Sequence, residues 1–167
     1  MSGGDAPLSL PTGLRDELVA HARAADPDEA CGILAGRDTR VERVFPVRNS
    51  AEDVDAVRGV FRDRASGAPT AGRKAVHYYM DPRDQLRVYN AIDALGLDVV
   101  GYYHSHVRSE ARPSPTDIRL ATDLLAHYVL VSLEPPADPS VRAWKILKSD
   151  PAAEIGELLE VPVRATA

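Results

Sequence analysis

Strand-like and helix-like segments alternate along this chain, and several neighbouring strands are separated by only a few turn residues. Those two features predict an α/β (α+β) domain, a mixed β-sheet flanked by helices, since a purely parallel sheet would need long crossovers throughout. With 167 residues, 44% of them hydrophobic, the chain can bury one substantial core, so a single domain is expected over residues 8–150. An insertion is expected at about residues 49–74, and residues 1–7 and 151–167 read as terminal extensions.

Each element has a local reason. Met1 to Pro7 is small and polar and reads as a frayed end. Thr12 can cap a helix that carries Leu14, Leu18, Ala22 and Ala25 on one face and stops at Pro27. Cys31 to Ala35, ended by Gly36, and Val41 to Val47 read as neighbouring strands. Asn49 to Lys74 lacks a sustained period and is long for a loop inside a compact domain. Ala75 to Met80 suits a strand. Asp81-Pro82 then starts a helix with Leu86, Tyr89, Ile92 and Leu95 at helical spacing, closed by Gly96.

Leu97 to Tyr103 is a β-branched, apolar strand that runs into His104-Ser105-His106. A polar loop over Val107 to Pro113, a helix over Pro115 to Ala126 and a strand over Tyr128 to Leu133 follow. Three prolines make Glu134 to Ser140 a turn, and Val141 to Leu147 is a further strand. The tail is ambiguous between a short helix at Ile155 to Leu159 and a strand around Val161.

Composition narrows the function. A formal charge of −5 lacks the basic excess that neutralises phosphates, which disfavours nucleic acid as a partner. No apolar stretch approaches the ~18–20 residues needed to cross a bilayer, and no basic segment leads into an apolar run at the N-terminus. The expectation is therefore a cytoplasmic protein without a membrane partner. Cys31 is the only cysteine, so an intramolecular disulfide and a cysteine-rich zinc knot are both excluded, and any metal must be held by His, Asp or Glu.

Residues two apart on an extended segment share a face, so His104 and His106 can present two imidazoles to one ion while Ser105 points away. Taken alone, the pair fits two surface histidines as well. Ser114-Pro115-Thr116-Asp117 begins a helix and is an ordinary capping arrangement needing no metal. It also allows Asp117 to turn its carboxylate to an ion held by the histidines, leaving the fourth tetrahedral position of zinc open to water. Glu29 sits directly before an apolar strand. It is a solvated acid in one reading, and in the other a general base that takes a proton from water and passes it to a leaving amine.

Glu29-Ala30-Cys31-Gly32-Ile33-Leu34-Ala35-Gly36, then His104-Ser105-His106, seven residues, Ser114, two residues and Asp117, resembles the JAMM (MPN-plus) metalloprotease motif without a departure. Four polar positions agree at fixed spacing, and the likeness extends from about Leu10 to Leu147. The resemblance implies the JAMM/MPN (cytidine deaminase-like) fold, zinc on His104, His106 and Asp117, Glu29 as general base and acid, and Ser114 stabilising the oxyanion. Within the family, Pro27 to Gly36 and His127 to Ser132 are most similar to the bacterial branch that cleaves sulfur-carrier protein–cysteine adducts.

That branch implies hydrolysis of the peptide or isopeptide bond after the C-terminal Gly-Gly of a ubiquitin-like (β-grasp) sulfur-carrier protein, with release of cysteine as one outcome. The tail would add a strand at a sheet edge, for which Ala75 to Met80 is a candidate. A homodimer is left open. The competing readings are a non-catalytic MPN-type module that binds ubiquitin-like partners, and a different hydrolase on the same scaffold.

Other conspicuous residues read as structural. Cys31 packs as a small hydrophobe, and Tyr78, Tyr79, Tyr102, Tyr103 and Trp144 are core or sheet-surface aromatics. His21, His77 and His127 lack partners at ligand spacing, with His77 closest to the cleft. Arg58, Arg62, Arg64 and Arg73 form no helical stripe.

Overall fold

A computed structural model describes residues 6–53, 57, 59–61 and 73–167. Most of the expected insertion, the first five residues, and Arg58, Arg62 and Arg64 lie outside them. Among the described residues the chain order is β1 (Leu8–Pro11), α1 (Thr12–Ala25), β2 (Cys31–Arg37), β3 (Arg40–Val47), α2 (Pro82–Ala94), β4 (Asp98–His106), α3 (Pro115–Leu120), β5 (His127–Ser132), β6 (Ser140–Leu147), β7 (Glu157–Val161) and β8 (Val163–Thr166).

The strands form one sheet in the order β7-β6-β5-β4-β2-β3-β1-β8. It is mixed, as predicted: β4 and β5 are parallel, as are β1 with β3 and with β8, while the remaining pairs are antiparallel. β7 and β8 stand at opposite ends of that order, yet only Pro162 separates them in the chain. The sheet therefore curls until its two ends meet, and the Leu8 amide donates to the carbonyl of Pro162 at 2.9 Å. β7 and β8 each pair with one neighbour only, so this contact brings the two edges of the sheet together without a ladder between them.

Two faces of the sheet are covered differently. On one, Leu18, Val19 and Ala22 of α1 pack with Leu34, Val41, Tyr103, Val129 and Val131. On the other, Val88 and Ile92 of α2 pack against Ile33, Ala35 and Val47, and Ile118 of α3 packs near Tyr128 and Ile146. Period-2 alternation along β4 sends Tyr103 to the α1 side and Tyr102, His104 and His106 to the other. The central strand thus delivers both imidazoles to the face that carries α2 and α3.

Three local expectations change. Thr12 does not cap α1: Pro11 holds that position, and the Thr12 hydroxyl donates instead to the carbonyl of Thr166. Pro11 ends β1, whose pairing with β8 sets the helix start from outside the helix. Ala75 to Met80 is not a strand. A 3-10 turn occupies Arg73–Ala75, and a single bridge joins Met80 to Asn49. α3 stops at Leu120 rather than Ala126, because Ala121 turns extended with ψ 123°. Lys148 accounts for the early end: its ammonium donates to the carbonyls of Ile118, Arg119 and Ala121 at 3.0, 3.2 and 2.8 Å, satisfying groups that a longer helix would have used.

The ambiguous tail resolves into the two end strands β7 and β8, not a helix. No helix among the described residues is long and apolar enough to cross a membrane.

Candidate active site

Strand register places the site. Cys31 pairs with His104 in the antiparallel β2–β4 ladder, so extending the register by two residues sets Glu29 opposite His106 on the same face. Ala30 and Ser105 lock that extension: the Ser105 amide donates to the Ala30 carbonyl at 3.0 Å, and the Ala30 amide donates to the Ser105 hydroxyl at 2.8 Å. Ser105 therefore points away from the imidazoles, into the backbone it secures.

The two imidazoles meet a carboxylate. His104 Nε2 and His106 Nε2 are 3.2 Å apart, and Asp117 Oδ2 lies 3.1 Å from the first and 3.3 Å from the second. Asp117 reaches them from the first turn of α3, where Ser114 is the N-cap. The Ser114 hydroxyl accepts the Asp117 amide at 3.1 Å, and the Asp117 carboxylate accepts the Ser114 amide at 2.8 Å, a reciprocal capping box. Capping and convergence on the histidines thus coexist in the same two residues. Ser114 Oγ uses a lone pair in the cap, so its hydroxyl proton remains available to the site.

Glu29 stands slightly further out. A carboxylate oxygen of Glu29 and one ring nitrogen from each histidine all lie within 4.8 Å of one another, and all three residues are buried. Burial pushes the Glu29 carboxyl up to about 8, with the Asp117 charge adding to the effect and His106 opposing it. Burial alone would also raise Asp117, but the charge of His104 and hydrogen bonds from both histidines and the Ser114 amide hold it well below the carboxylate range. For His106, burial pulls the ring down while Asp117 pulls harder upward.

A carbonyl decides the His106 tautomer. Glu110 O can only accept, and it lies 2.8 Å from His106 Nδ1, so Nδ1 carries a proton; Nε2 then donates to Asp117 when the ring is charged and is a bare lone pair when it is neutral. That lone pair faces the Asp117 carboxylate, an arrangement of acceptor against acceptor that calls for a cation or a proton between them. His104 is steadied by Tyr78, whose ring stacks on it with centroids 4.3 Å apart. Packing alone is what the sequence predicts for Tyr78. Nothing in the local pattern distinguishes it, because the segment is irregular and its approach to His104 is set by tertiary contacts.

A cleft of about 320 Å³ opens beside Asp117, lined by Phe61, His77, Tyr79, Gln85, Thr116 and Thr122 among others. Arg119 donates to the carbonyl of Val60 at 2.6 Å, which holds that residue of the expected insertion against α3. The remaining conspicuous residues are structural. Cys31 is fully buried with its thiol pushed up by burial, Trp144 donates to the Ala111 carbonyl at 2.8 Å, and His21 Nδ1 lies 2.8 Å from the Tyr103 hydroxyl.

The curled mixed sheet and the buried Glu29, His104 and His106 define a metallopeptidase of the JAMM class. The chain belongs to the family described as prokaryotic homologs of the JAB domain, whose model matches residues 11–147. It is 37% identical over 142 residues to the CysO-cysteine peptidase of Mycobacterium tuberculosis, covering 84% of this chain and 83% of that protein. It is 34% identical over 143 residues to a desampylase of Haloferax volcanii, covering 82% and 87%. In fold it is similar to a JAB1/MPN domain protein from Archaeoglobus fulgidus, with a TM-score of 0.53 at 18% identity over 96% of this chain and 100% of that one.

Proposed function

We propose that this protein is a zinc peptidase that hydrolyses the bond after the C-terminal Gly-Gly of a ubiquitin-like sulfur-carrier protein, releasing cysteine or another amine. The observation that carries the reading is the donor triangle. Its edges of 3.1, 3.2 and 3.3 Å match the roughly 3.3 Å that separates neighbouring ligands of a tetrahedral ion at about 2.0 Å. His104, His106 and Asp117 would hold the metal, and Glu29, set further out, would not be a ligand. Bound there, zinc supplies a Lewis acid that polarises a carbonyl and acidifies water.

The chain's own groups do the rest. Glu29 takes a proton from the attacking water as the new C–O bond forms, and returns it to the leaving nitrogen as the C–N bond breaks. Ser114 directs its hydroxyl proton to the carbonyl oxygen as negative charge develops there, at a helix start whose field favours that charge. The cleft beside Asp117 takes the extended tail, and two glycines give that tail the conformational freedom to reach the buried site. The M. tuberculosis and H. volcanii relatives are named for conjugate cleavage, which supports the substrate class.

The test is mass spectrometry of the zinc-loaded protein with a β-grasp carrier ending in Gly-Gly-Cys. Loss of one cysteine residue from the carrier by wild type, and none by Glu29→Gln that still binds zinc, is the expected result. Full-rate cleavage by Glu29→Gln would overturn the assigned base, and no cleavage by wild type of any Gly-Gly adduct would overturn the activity.

A further inference from the structure

Glu29 lies just outside the sheet's hydrogen-bond ladder. The β2–β3 pairing ends at Cys31 opposite Val47, and the same register carried two residues further would set Glu29 against Asn49. The two chains no longer pair there through their backbones, since Asn49 makes its own bridge to Met80. The Asn49 side chain takes the place of the missing partner: its amide group donates to the Glu29 carbonyl at 3.0 Å and to the His77 carbonyl at 3.2 Å. Its oxygen accepts the amides of Ala51 at 3.0 Å and Tyr79 at 3.1 Å.

All four hydrogen-bonding places of the carboxamide are therefore filled by main-chain groups from three separate segments. One is the approach to β2 that bears Glu29, one is the exit from β3, and one is the strap over residues 77–79 that lines the cleft and stacks Tyr78 on His104. The other main-chain group of Glu29, its amide, donates to Lys74 O at 2.6 Å, also outside the ladder.

From this geometry we infer that Asn49 is the positioning residue of the reaction: it fixes the Glu29 main chain and the cleft strap relative to each other. The inference rests on the reading of Glu29 as the base. A carboxamide is the chemistry the position needs. Aspartate would keep the two accepted bonds but turn an oxygen toward the carbonyls of Glu29 and His77, while alanine would lose all four bonds.

That asymmetry supplies the test. Asn49→Asp and Asn49→Ala are compared with wild type for zinc stoichiometry, kcat and KM on a Gly-Gly-Cys carrier, and amide exchange. Both variants are expected to bind one zinc, because the three proposed ligands lie on β4 and α3 and none of them hydrogen-bonds to Asn49. In Asn49→Asp the Ala51 and Tyr79 amides stay protected while the Glu29 amide exchanges about tenfold faster, and kcat falls about 10–100-fold with KM less affected. In Asn49→Ala all three amides lose protection, and kcat and KM both suffer.

A merely structural role predicts that kcat follows the strap, leaving Asn49→Asp near wild type, and that outcome overturns the inference. Should wild type prove inactive on every carrier, the activity reading fails by itself. The clamp is then judged by exchange alone, and an unchanged Glu29 amide in both variants sinks it.

Discussion

His106 Nδ1 donates to the carbonyl of Glu110 at 2.8 Å, and this single bond turns the ring's bare nitrogen toward Asp117. The acceptor sits on a loop, and the loop is pinned by its next residue: the indole of buried Trp144 donates to the carbonyl of Ala111. Trp144→Phe keeps most of the ring volume but leaves that carbonyl unsatisfied, at about 1–3 kcal/mol. It should also weaken zinc binding by about 10-fold through the loosened loop. Thermal unfolding of the metal-free protein and competition with a chelating dye measure the two effects separately. Unchanged zinc affinity would mean the loop orients His106 without help from Trp144.

Glu29 predicts a pH signature in the metal-free protein. Its carboxyl is raised from 4.5 to about 8 in the fold, so below 4.5 both folded and unfolded chains hold the proton and there is no penalty. Between those values only the folded chain holds it, and stability falls as pH rises, reaching a constant loss on the order of 5 kcal/mol above about 8. Glu29→Gln removes the dependence. Denaturation midpoints of the two proteins should diverge across that window in favour of the variant, and parallel curves would show that burial does not disfavour the charge.

Asp117 and Ser114 each combine a cap with a role at the site, and substitutions can separate them. Asp117→Asn retains an oxygen for the Ser114 amide but loses the charge, so zinc affinity should fall more than about 100-fold with little change in metal-free stability. Ser114→Ala should do the reverse for binding: about 1 kcal/mol of stability lost, zinc retained, and kcat lower by about 10²–10³. Calorimetric titration with zinc, alongside turnover, distinguishes the pair. Tight zinc binding by Asp117→Asn would remove Asp117 from the ligand set.

Gly101 and Gly13 make a contrasting pair. A Cβ on Gly101 would come 2.4 Å from the main-chain oxygen of His127, so alanine must spread β4 from β5 three residues before His104. A loss of about 1–3 kcal/mol and weaker zinc binding are expected. A Cβ on Gly13 in α1 would meet nothing within 4 Å, and alanine there should stabilise by about 0.5–1 kcal/mol. Chemical denaturation checks both signs.

What could be read directly was whatever depends on near neighbours in the chain. The apolar, β-branched run from Leu97 to Tyr103 locates β4, the 3.6-residue recurrence from Leu86 to Leu95 locates α2, and Ser114 to Asp117 announces its own cap. The apolar segment 75–80 forms no strand because Tyr78 stacks on His104 and Met80 packs beside the α2 core, with a single bridge to Asn49 in place of a ladder. α3 was overestimated because the group that ends it, Lys148, lies 27 residues beyond Ala121.

The sequence by itself determined the chemical inventory of the site, the types of most elements and the mixed character of the sheet, since these follow from spacing within one strand or one helical turn and from the lengths of the connections between neighbouring elements. Only the tertiary structure decided that Glu29 meets His106 from 77 positions away in the chain, that the sheet closes through Pro162, that Tyr78 covers His104 and that Asn49 ties Glu29 to the cleft. Those relations arise from register between strands and from carbonyls finding donors on distant segments, and local periodicity carries no record of either.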